Sequence, residues 1–441
     1  MLATCACLAS CQPPAESARA ASVDLLAPLV MAVPSISPNV TVLPPASLPI
    51  PKITPVVVLA AVPMAADSAS VIEEAANADP AEQDAIAGEP GGEAAEPLPE
   101  PFEMLGERVP AGTFARLTWT PTETFTGNTI PSAVLVAHGS TPGPVLCLTA
   151  AVHGDELNGI ETVRRVLHEA EPERLTGTLV GVPIVNLQGF HRNSRYLPDR
   201  RDLNRFFPGN PTGSAASRIA YSLFNEVIRH CNWLVDLHTG SFHRTNLPQL
   251  RANLNNERVV KLTEGFGSTV ILHSDGAEGT LRDAATAAGI PAVTLEAGMP
   301  LQVQEDAVNH SVKGIYTLLD ALGMYNKRSL WGTPEPVYYQ SRWVRADHGG
   351  ILAGEVRLGR RVSPGDLLGT VIDPISNEQN VILSPYQGRV IGMALDQFVM
   401  PGYATFHIGI EADMAEAMAS PAEEDVDHAT EEYESLLEEG D

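Results

Sequence analysis

Apolar and polar positions follow two different periods along the middle of the chain. Residues 113–119 and 132–137 alternate as strands do, and turn residues stand at 126–128 and 140–143. From residue 145 onward, short apolar runs alternate with segments in which the apolar residues have a helical period. The predicted strands are 145–151, 178–185, 233–238, 269–272 and 292–296, and the predicted helices are 156–169, 215–230, 255–265, 279–288 and 303–322. This alternation predicts an α/β fold with a mainly parallel sheet flanked by helices.

The pattern changes on both sides of this region. Residues 329–410 contain short strands broken by regular Gly and Pro turns, which predicts a small C-terminal all-β domain. Residues 1–107 are rich in Ala, Pro and Glu, and we predict a mostly disordered leader there and a disordered acidic tail at 411–441. The α/β domain is predicted to occupy residues 108–328.

The acidic charge lies mainly in the two tails. The formal net charge is -26, but residues 67–107 hold twelve Asp or Glu and residues 411–441 hold thirteen, without Lys or Arg in either segment. The body between them is nearly neutral and has no basic stripe, so we expect no nucleic-acid partner. Leu8-Ala9-Ser10-Cys11 resembles a bacterial lipobox without a preceding Lys or Arg, so a cytoplasmic location and export as a lipoprotein both stay open.

Cysteine spacing argues against a thiolate metal site. The chain has five cysteines and no CxxC pair. Cys147 and Cys231 stand in apolar surroundings and are predicted to be core residues, with the burial typical of free cysteine.

Polar residues end three of the predicted strands. His153 follows the first strand, with Glu156 three residues later, while His238 and Glu296 end two others. The carboxyl ends of parallel strands meet at one edge of a sheet, so these side chains should lie together. Imidazole and carboxylate are ordinary zinc ligands, and a catalytic site leaves a fourth position for water. We predict His153, Glu156 and His238 as ligands, although a structural histidine is the alternative for His238, and Asp236 as the carboxylate that orients it.

The remaining polar residues suggest a base and a substrate anchor. A carboxylate that ends a buried strand needs a partner, so Glu296 is predicted as the general base, with a helix-capping charge as the alternative. In the polar loop 188–214, Arg205 and Asn204 could grip a carboxylate, and Arg195 could stabilise an oxyanion. A solvated surface loop is the alternative there.

Four motifs together resemble one family. His153-x-x-Glu156, Asp202-Leu203-Asn204-Arg205, Asp236-Leu237-His238-Thr239-Gly240 and Leu295-Glu296-Ala297-Gly298 resemble the succinylglutamate desuccinylase/aspartoacylase family over about residues 115–410. The resemblance implies a zinc-carboxypeptidase-like fold with a C-terminal barrel-sandwich domain and one Zn²⁺ per chain.

The resemblance also implies roles for single residues. It assigns His153, Glu156 and His238 to zinc, Glu296 to the base and Asn204 with Arg205 to a substrate carboxylate. Arg195 would face the reacting carbonyl, but residues 197–201 make this loop longer than in aspartoacylases, so Arg200 or Arg201 could take that place. Arg201 and Arg251 are further candidates for substrate contact. His348 and His407 are predicted to be structural.

These features predict a zinc-dependent hydrolase that cleaves an amide bond of an N-acyl amino acid or a related carboxylate-bearing substrate. The alternatives are carboxypeptidase-like trimming of a short peptide and a non-catalytic binding protein on the same fold.

Overall fold

A large mixed sheet carries the candidate site in the computed structural model, which describes residues 99–410 except 122, 126–127 and 326–335. The helices are α1 (Leu157–Glu169), α2 (Leu187–His191), α3 (Ala215–Glu226), α4 (Glu257–Glu264), α5 (Leu281–Ala287) and α6 (Glu305–Ala321). Short 3-10 turns cover Pro172–Arg174, Leu203–Arg205 and Ile228–His230. The strands are β1 (Phe102–Met104), β2 (Glu107–Val109), β3 (Thr113–Trp119), β4 (Glu123–Phe125), β5 (Asn128–Thr129), β6 (Ser132–His138), β7 (Thr141–Ala150), β8 (Thr176–Val182), β9 (Trp233–His238), β10 (Arg244–Ala252), β11 (Val270–His273), β12 (Ala292–Gly298), β13 (Val337–Tyr338), β14 (Gln340–Arg345), β15 (Gly350–Gly354), β16 (Arg361–Val362), β17 (Leu367–Ile372), β18 (Gln379–Leu383), β19 (Gly388–Ala394), β20 (Phe398–Val399) and β21 (Ala404–Ile410).

The main sheet has 13 strands within the described residues, with the order β14-β21-β19-β10-β12-β9-β7-β8-β6-β3 along its main path. Its centre is parallel, because β8, β7, β9 and β12 run side by side in the same direction. β10 joins antiparallel to β12, and further antiparallel strands extend both sides. The predicted α/β fold with flanking helices is therefore confirmed. The sheet is mixed, and its parallel strands form the centre.

The C-terminal strands form a β-sandwich that shares this sheet. β19 pairs with the first half of β10, and β21 and β14 follow beyond it. A second sheet with the order β18-β17-β15-β20 lies against them, and residues of both sheets form one buried cluster that includes Leu352, Val371, Phe406 and Ile408. The predicted border at 328/329 lies outside the described residues, and the main sheet includes strands from both sides of it.

The N-terminal border predicted at 107/108 is too late. β1 and β2 form an antiparallel hairpin, and Met104 and Val109 are buried in the same core cluster as Trp119. These apolar side chains make residues 102–107 part of the folded core. The lipobox-like segment 1–11, the rest of the predicted leader up to residue 98, and the tail 411–441 lie outside the described residues. Within the described part of the chain, no helix is long and apolar enough to cross a membrane.

Cys147 and Cys231 are buried, at 1% and 5% exposure, as predicted. They are not free thiols, however, because a disulfide joins them across a sequence separation of 84 residues, with their Cα atoms 5.8 Å apart. The bond links Cys147 in β7 to Cys231, which lies two residues before the start of β9. The two strands that lead to the candidate ligands are therefore covalently tied.

Helix α1 packs closely on the sheet and fixes the residue before it. Val163, Val166 and Leu167 form its buried stripe, spaced as a helix face requires. Gly159 permits the close approach, since a Cβ there would lie 2.9 Å from the Cβ of Leu237 and 3.0 Å from that of Ala150. Glu156 occupies the N-cap position without capping the helix, so its carboxylate is available elsewhere.

Candidate active site

The side chains of His153, Glu156 and His238 converge at the carboxyl ends of β7 and β9. Their candidate ligand atoms all lie within 4.8 Å of one another, and all three residues are buried. The strands are parallel neighbours, with Ala150 opposite Leu237, which is why His153 and His238 reach the same place. The structure thus brings together the three residues that the sequence selected as ligands.

Carboxylates hold the outer nitrogen of each imidazole. Asp202 Oδ1 lies 3.1 Å from His153 Nε2, and Asp236 Oδ2 lies 2.8 Å from His238 Nε2. Asp236 also accepts a hydrogen bond from the Thr149 hydroxyl at 2.6 Å. In the tautomer that donates each Nε2 proton to these carboxylates, each Nδ1 atom presents a lone pair inward. Metal-binding histidines are commonly oriented in this way.

The inward-facing atoms form a set of acceptors. The two Nδ1 atoms lie 3.1 Å apart, and the oxygens of Glu156 lie 2.8 Å from that of His153 and 2.9 Å from that of His238. Thr239 N donates to Glu156 Oε2 at 3.0 Å and fixes the carboxylate. Two imidazole lone pairs and a carboxylate that face one another fit a divalent cation, and this donor set is one that zinc takes.

Opposite charges lie close together in the cluster and shift the pKa values of its members. Burial lowers the pKa of His238, but Asp236 and Glu156 outweigh it and raise the pKa well above the usual value. Burial likewise raises the pKa of Asp202, yet the charges of Arg195 and His153 hold that pKa well below its usual range. The charges of His153 and His238 likewise outweigh burial and lower the pKa of Glu156. Asp202 and Glu156 therefore keep their negative charges beside the two imidazoles.

Glu296 lies on the neighbouring strand, where the register of β12 against β9 puts it opposite His238. Asn246 Nδ2 donates to one of its carboxylate oxygens at 3.1 Å, and Arg251 Nε lies 3.4 Å from the other. Glu296 lines the same cavity as the cluster. Its carboxylate is thus held by two side chains of β10 while one edge faces the cavity.

Arg195 lies beside the cluster, and Arg200 and Arg201 do not. Arg195 Nη1 lies 3.0 Å from His153 Nδ1, and its Nη2 donates to Asp202 at 2.8 Å. Arg200 has a φ of 67° in a tight turn, and both Arg200 and Arg201 are exposed. Arg201 pairs with Asp199 at 2.8 Å. The candidate role of Arg201 in substrate binding is therefore corrected, because the turn directs it to the surface.

Asn204 and Arg205 line the cavity at the start of α5. Asn204 Oδ1 accepts from Leu281 N at 2.8 Å, which leaves its amide nitrogen as a donor. Arg205 Nη1 donates to the Asn204 carbonyl at 3.1 Å. These two residues and Arg251 are the predicted anchor residues that the structure does place around the cavity.

The cavity has a volume of about 290 Å³ and includes residues that the sequence did not single out. Arg282 follows the Thr280 cap of α5, and its pKa is lowered to about 10 by burial and by Arg251. In the sequence, Arg282 could be recognised only as a cationic residue in the first turn of a predicted helix. Arg244 and Asn246 lie on β10, which contains Pro248 and shows no clear strand pattern.

The C-terminal domain supplies part of the cavity wall. Trp343 and His407 stack at a centroid distance of 4.6 Å, and His407 Nε2 lies 2.8 Å from Ser341 Oγ. His407 is buried and makes these contacts as a structural residue would, but it also lines the cavity. The cavity is thus bounded by both parts of the chain.

Comparison with known proteins gives concordant matches. Residues 142–322 match the family described as "Succinylglutamate desuccinylase/Aspartoacylase catalytic domain". A curated relative, the N-alpha-acetyl-L-2,4-diaminobutyric acid deacetylase of Halomonas elongata, is 25% identical over 298 residues, which are 65% of this chain and 86% of the relative.

Solved structures share the fold. The ectoine utilization protein EutE (DoeB) of Ruegeria pomeroyi, in a product-bound structure, superimposes with a TM-score of 0.61 and 21% identity, over 71% of this chain and 99% of that one. A succinylglutamate desuccinylase/aspartoacylase from Rhodobacter sphaeroides gives a TM-score of 0.59 and 22% identity, over 68% and 96% of the two chains.

Proposed function

We propose that this protein is a zinc-dependent deacylase that hydrolyses the amide bond of an N-acyl amino acid, because residues 142–322 match the catalytic domain of the succinylglutamate desuccinylase/aspartoacylase family. The observation that carries the proposal is the convergence of His153, Glu156 and His238 in one cavity with Glu296. The deacetylase name of the Halomonas relative supports the reaction class.

The chain's own groups fit the steps of such a hydrolysis. A zinc ion held by His153, Glu156 and His238 would polarise the scissile carbonyl and lower the pKa of a water molecule. Glu296 takes the proton of the attacking water and returns it to the leaving amine nitrogen. The amide bond breaks, and the products are a free amino acid and a carboxylic acid.

Charged residues around the cavity would hold the substrate and the developing negative charge. The Arg195 guanidinium already lies 3.0 Å from His153, so it is placed to stabilise an oxyanion beside the cluster. Arg205 and the amide nitrogen of Asn204 would bind the substrate carboxylate. Arg251 Nε lies 3.4 Å from a carboxylate oxygen of Glu296 and is a second candidate contact.

The test combines metal loading with a substrate panel. The protein is stripped with a chelator, reloaded with one equivalent of zinc, and assayed with N-acetyl and N-succinyl amino acids, including N-α-acetyl-L-2,4-diaminobutyrate, beside short peptides. We expect turnover of an N-acyl amino acid that depends on zinc. Glu296→Gln should bind zinc normally and lose roughly 100-fold or more in kcat, whereas Glu264→Gln, an exposed carboxylate at the end of α4, should not.

Each contrary result has a distinct meaning. Turnover of peptides in place of N-acyl amino acids would assign the protein to peptide trimming. Failure to take up zinc, with no turnover, would indicate a binding protein on this fold. Full activity of Glu296→Gln would refute the mechanism.

A further inference from the structure

The segment between β9 and β10 follows the candidate ligand His238 directly and has an unusual backbone. Phe242 and His243 have φ values of 50° and 58°, so two successive residues other than glycine adopt the left-handed region. Such a conformation persists only where the surroundings fix it, and it is concentrated at functional sites. The residues that contact Phe242 and His243 therefore indicate the role of this backbone conformation.

The C-terminal domain holds this strained pair. Tyr403 Oη donates to the Phe242 carbonyl at 2.9 Å. The His243 carbonyl accepts from Leu395 N at 2.8 Å and from Gln397 Nε2 at 2.9 Å. All these donors lie between residues 395 and 403, in β-sandwich loops. The backbone next to the catalytic domain's ligand strand is thus fixed from the other part of the chain.

The Phe242 ring covers Arg195. The guanidinium carbon of Arg195 lies 5.4 Å from the ring centroid, within the range of a cation–π contact. The polar edge of the same guanidinium meets His153 and Asp202, while its buried Nε has no hydrogen-bond partner. Phe242 does not line the cavity. Its ring faces the Arg195 guanidinium, and its centroid also lies 6.4 Å from that of the Tyr196 ring.

We propose that Phe242 is a positioning residue for Arg195, and that the C-terminal β-sandwich sets the orientation of this arginine by holding the Phe242–His243 backbone. The proposal rests on the proposed function for its kinetic consequence, because Arg195 would stabilise the oxyanion. The contact itself can be tested without turnover.

The kinetic test uses variants that distinguish the effect of the aromatic ring from the effect of the apolar volume of the side chain. Phe242→Leu keeps an apolar side chain but removes the aromatic face, and kcat should fall about 3- to 30-fold with KM changed less than about 2-fold. Phe242→Tyr keeps the ring and should restore kcat to within about 2-fold. Tyr403→Phe removes one hydroxyl and should lower kcat about 3- to 10-fold. Tyr386→Phe, in the same C-terminal cluster, is the control and should have no effect.

A double-mutant cycle distinguishes positioning from a general structural defect. In an Arg195→Gln background, Phe242→Leu should lower kcat by less than about 2-fold, since the residue through which it acts is gone. An equal loss in both backgrounds, or an unchanged kcat in Phe242→Leu alone, would overturn the proposal.

A second measurement is independent of the reaction. In protein with ¹⁵N-labelled arginine, the Nε–H resonance that disappears in Arg195→Gln belongs to Arg195. Phe242→Leu and Tyr403→Phe should shift it, since the aromatic ring leaves or moves, and Tyr386→Phe should not. An unmoved resonance refutes the positioning role, whereas a shifted resonance in a protein that hydrolyses no N-acyl amino acid refutes only the proposed function.

Discussion

Glu296 and His238 are opposite partners on two adjacent parallel strands. Backbone hydrogen bonding therefore fixes the spacing between the candidate base and a candidate ligand. Because both residues lie near the carboxyl ends of their strands, their side chains reach the same cavity. The candidate metal ligands and the candidate base are therefore parts of one rigid element, the central sheet.

We expect Asp236→Asn to weaken zinc binding about 10- to 100-fold, because the substitution removes the negative charge that orients His238 and raises its basicity. Competition with a chromogenic zinc indicator measures the affinity. Asp199→Asn changes a carboxylate in a surface pair with Arg201 and serves as the matched control. An unchanged affinity in Asp236→Asn would mean that this carboxylate does not support a metal ligand.

Removal of the Cys147–Cys231 disulfide should lower the free energy of unfolding by about 2–4 kcal/mol, because the bond restricts the unfolded chain over a long loop. Denaturant unfolding with and without reductant measures this loss. The double variant Cys147→Ala/Cys231→Ala should be less stable than the disulfide-bonded protein, and reductant should not change the stability of this variant. Peptide mapping of the unreduced protein must recover the linked pair, and two unlinked peptides would contradict the structure.

The pair of Glu161 and Arg165 on α1, together with Glu305 on α6, should contribute a pH-dependent increment of stability. The hydrogen bond from Arg164, and a further one from Arg165, lower the pKa of Glu161 to about 2 from 4.5. A lowered pKa stabilises the fold above pH 4.5, and the effect is lost as the pH falls toward 2.

Solvent screening keeps this increment small. Glu161→Gln should cost about 0.5–1 kcal/mol at pH 7 and almost nothing near pH 2, as measured by denaturant unfolding across that range. A cost that is independent of pH would show that the charge of Glu161 is not its source.

Gly159→Ala should destabilise the protein by about 1–3 kcal/mol. Alanine is the better helix former by about 1 kcal/mol, but its Cβ would lie 2.9 Å from the Leu237 Cβ, which is fixed in the sheet. The steric cost should win, because neither β-carbon can rotate away. Thermal unfolding and zinc content measure the effect, and a more stable variant would show that α1 can move away from β7 and β9.

The sequence allowed the chemistry to be predicted wherever a side chain follows the end of a central strand. His153, His238 and Glu296 could be found in this way, because parallel strands place their carboxyl ends together. Arg195 could not be separated from Arg200 and Arg201, since that choice depends on the left-handed turn at Arg200.

Other features depend on long-range pairing that no local pattern reports. β10 contains Pro248, and its register shifts between Asn246 and Gln249, so its alternation is not visible in the sequence. The disulfide joins cysteines whose separation of 84 residues carries no spacing signal. The contribution of β19 and β21 to the same sheet likewise emerges only from pairing with β10.

The continuous sheet also affects the order in which the protein can fold during synthesis. Arg244 and Asn246 leave the ribosome together with β10, but their partner strand β19 is made much later. Until then the first half of β10 has an unpaired edge, which is a surface for aggregation. A nascent chain that stops after α6 would therefore hold the candidate ligands and base but lack a partner for the strand that steadies Glu296. The candidate active site can therefore be completed only after the last strands have been synthesised.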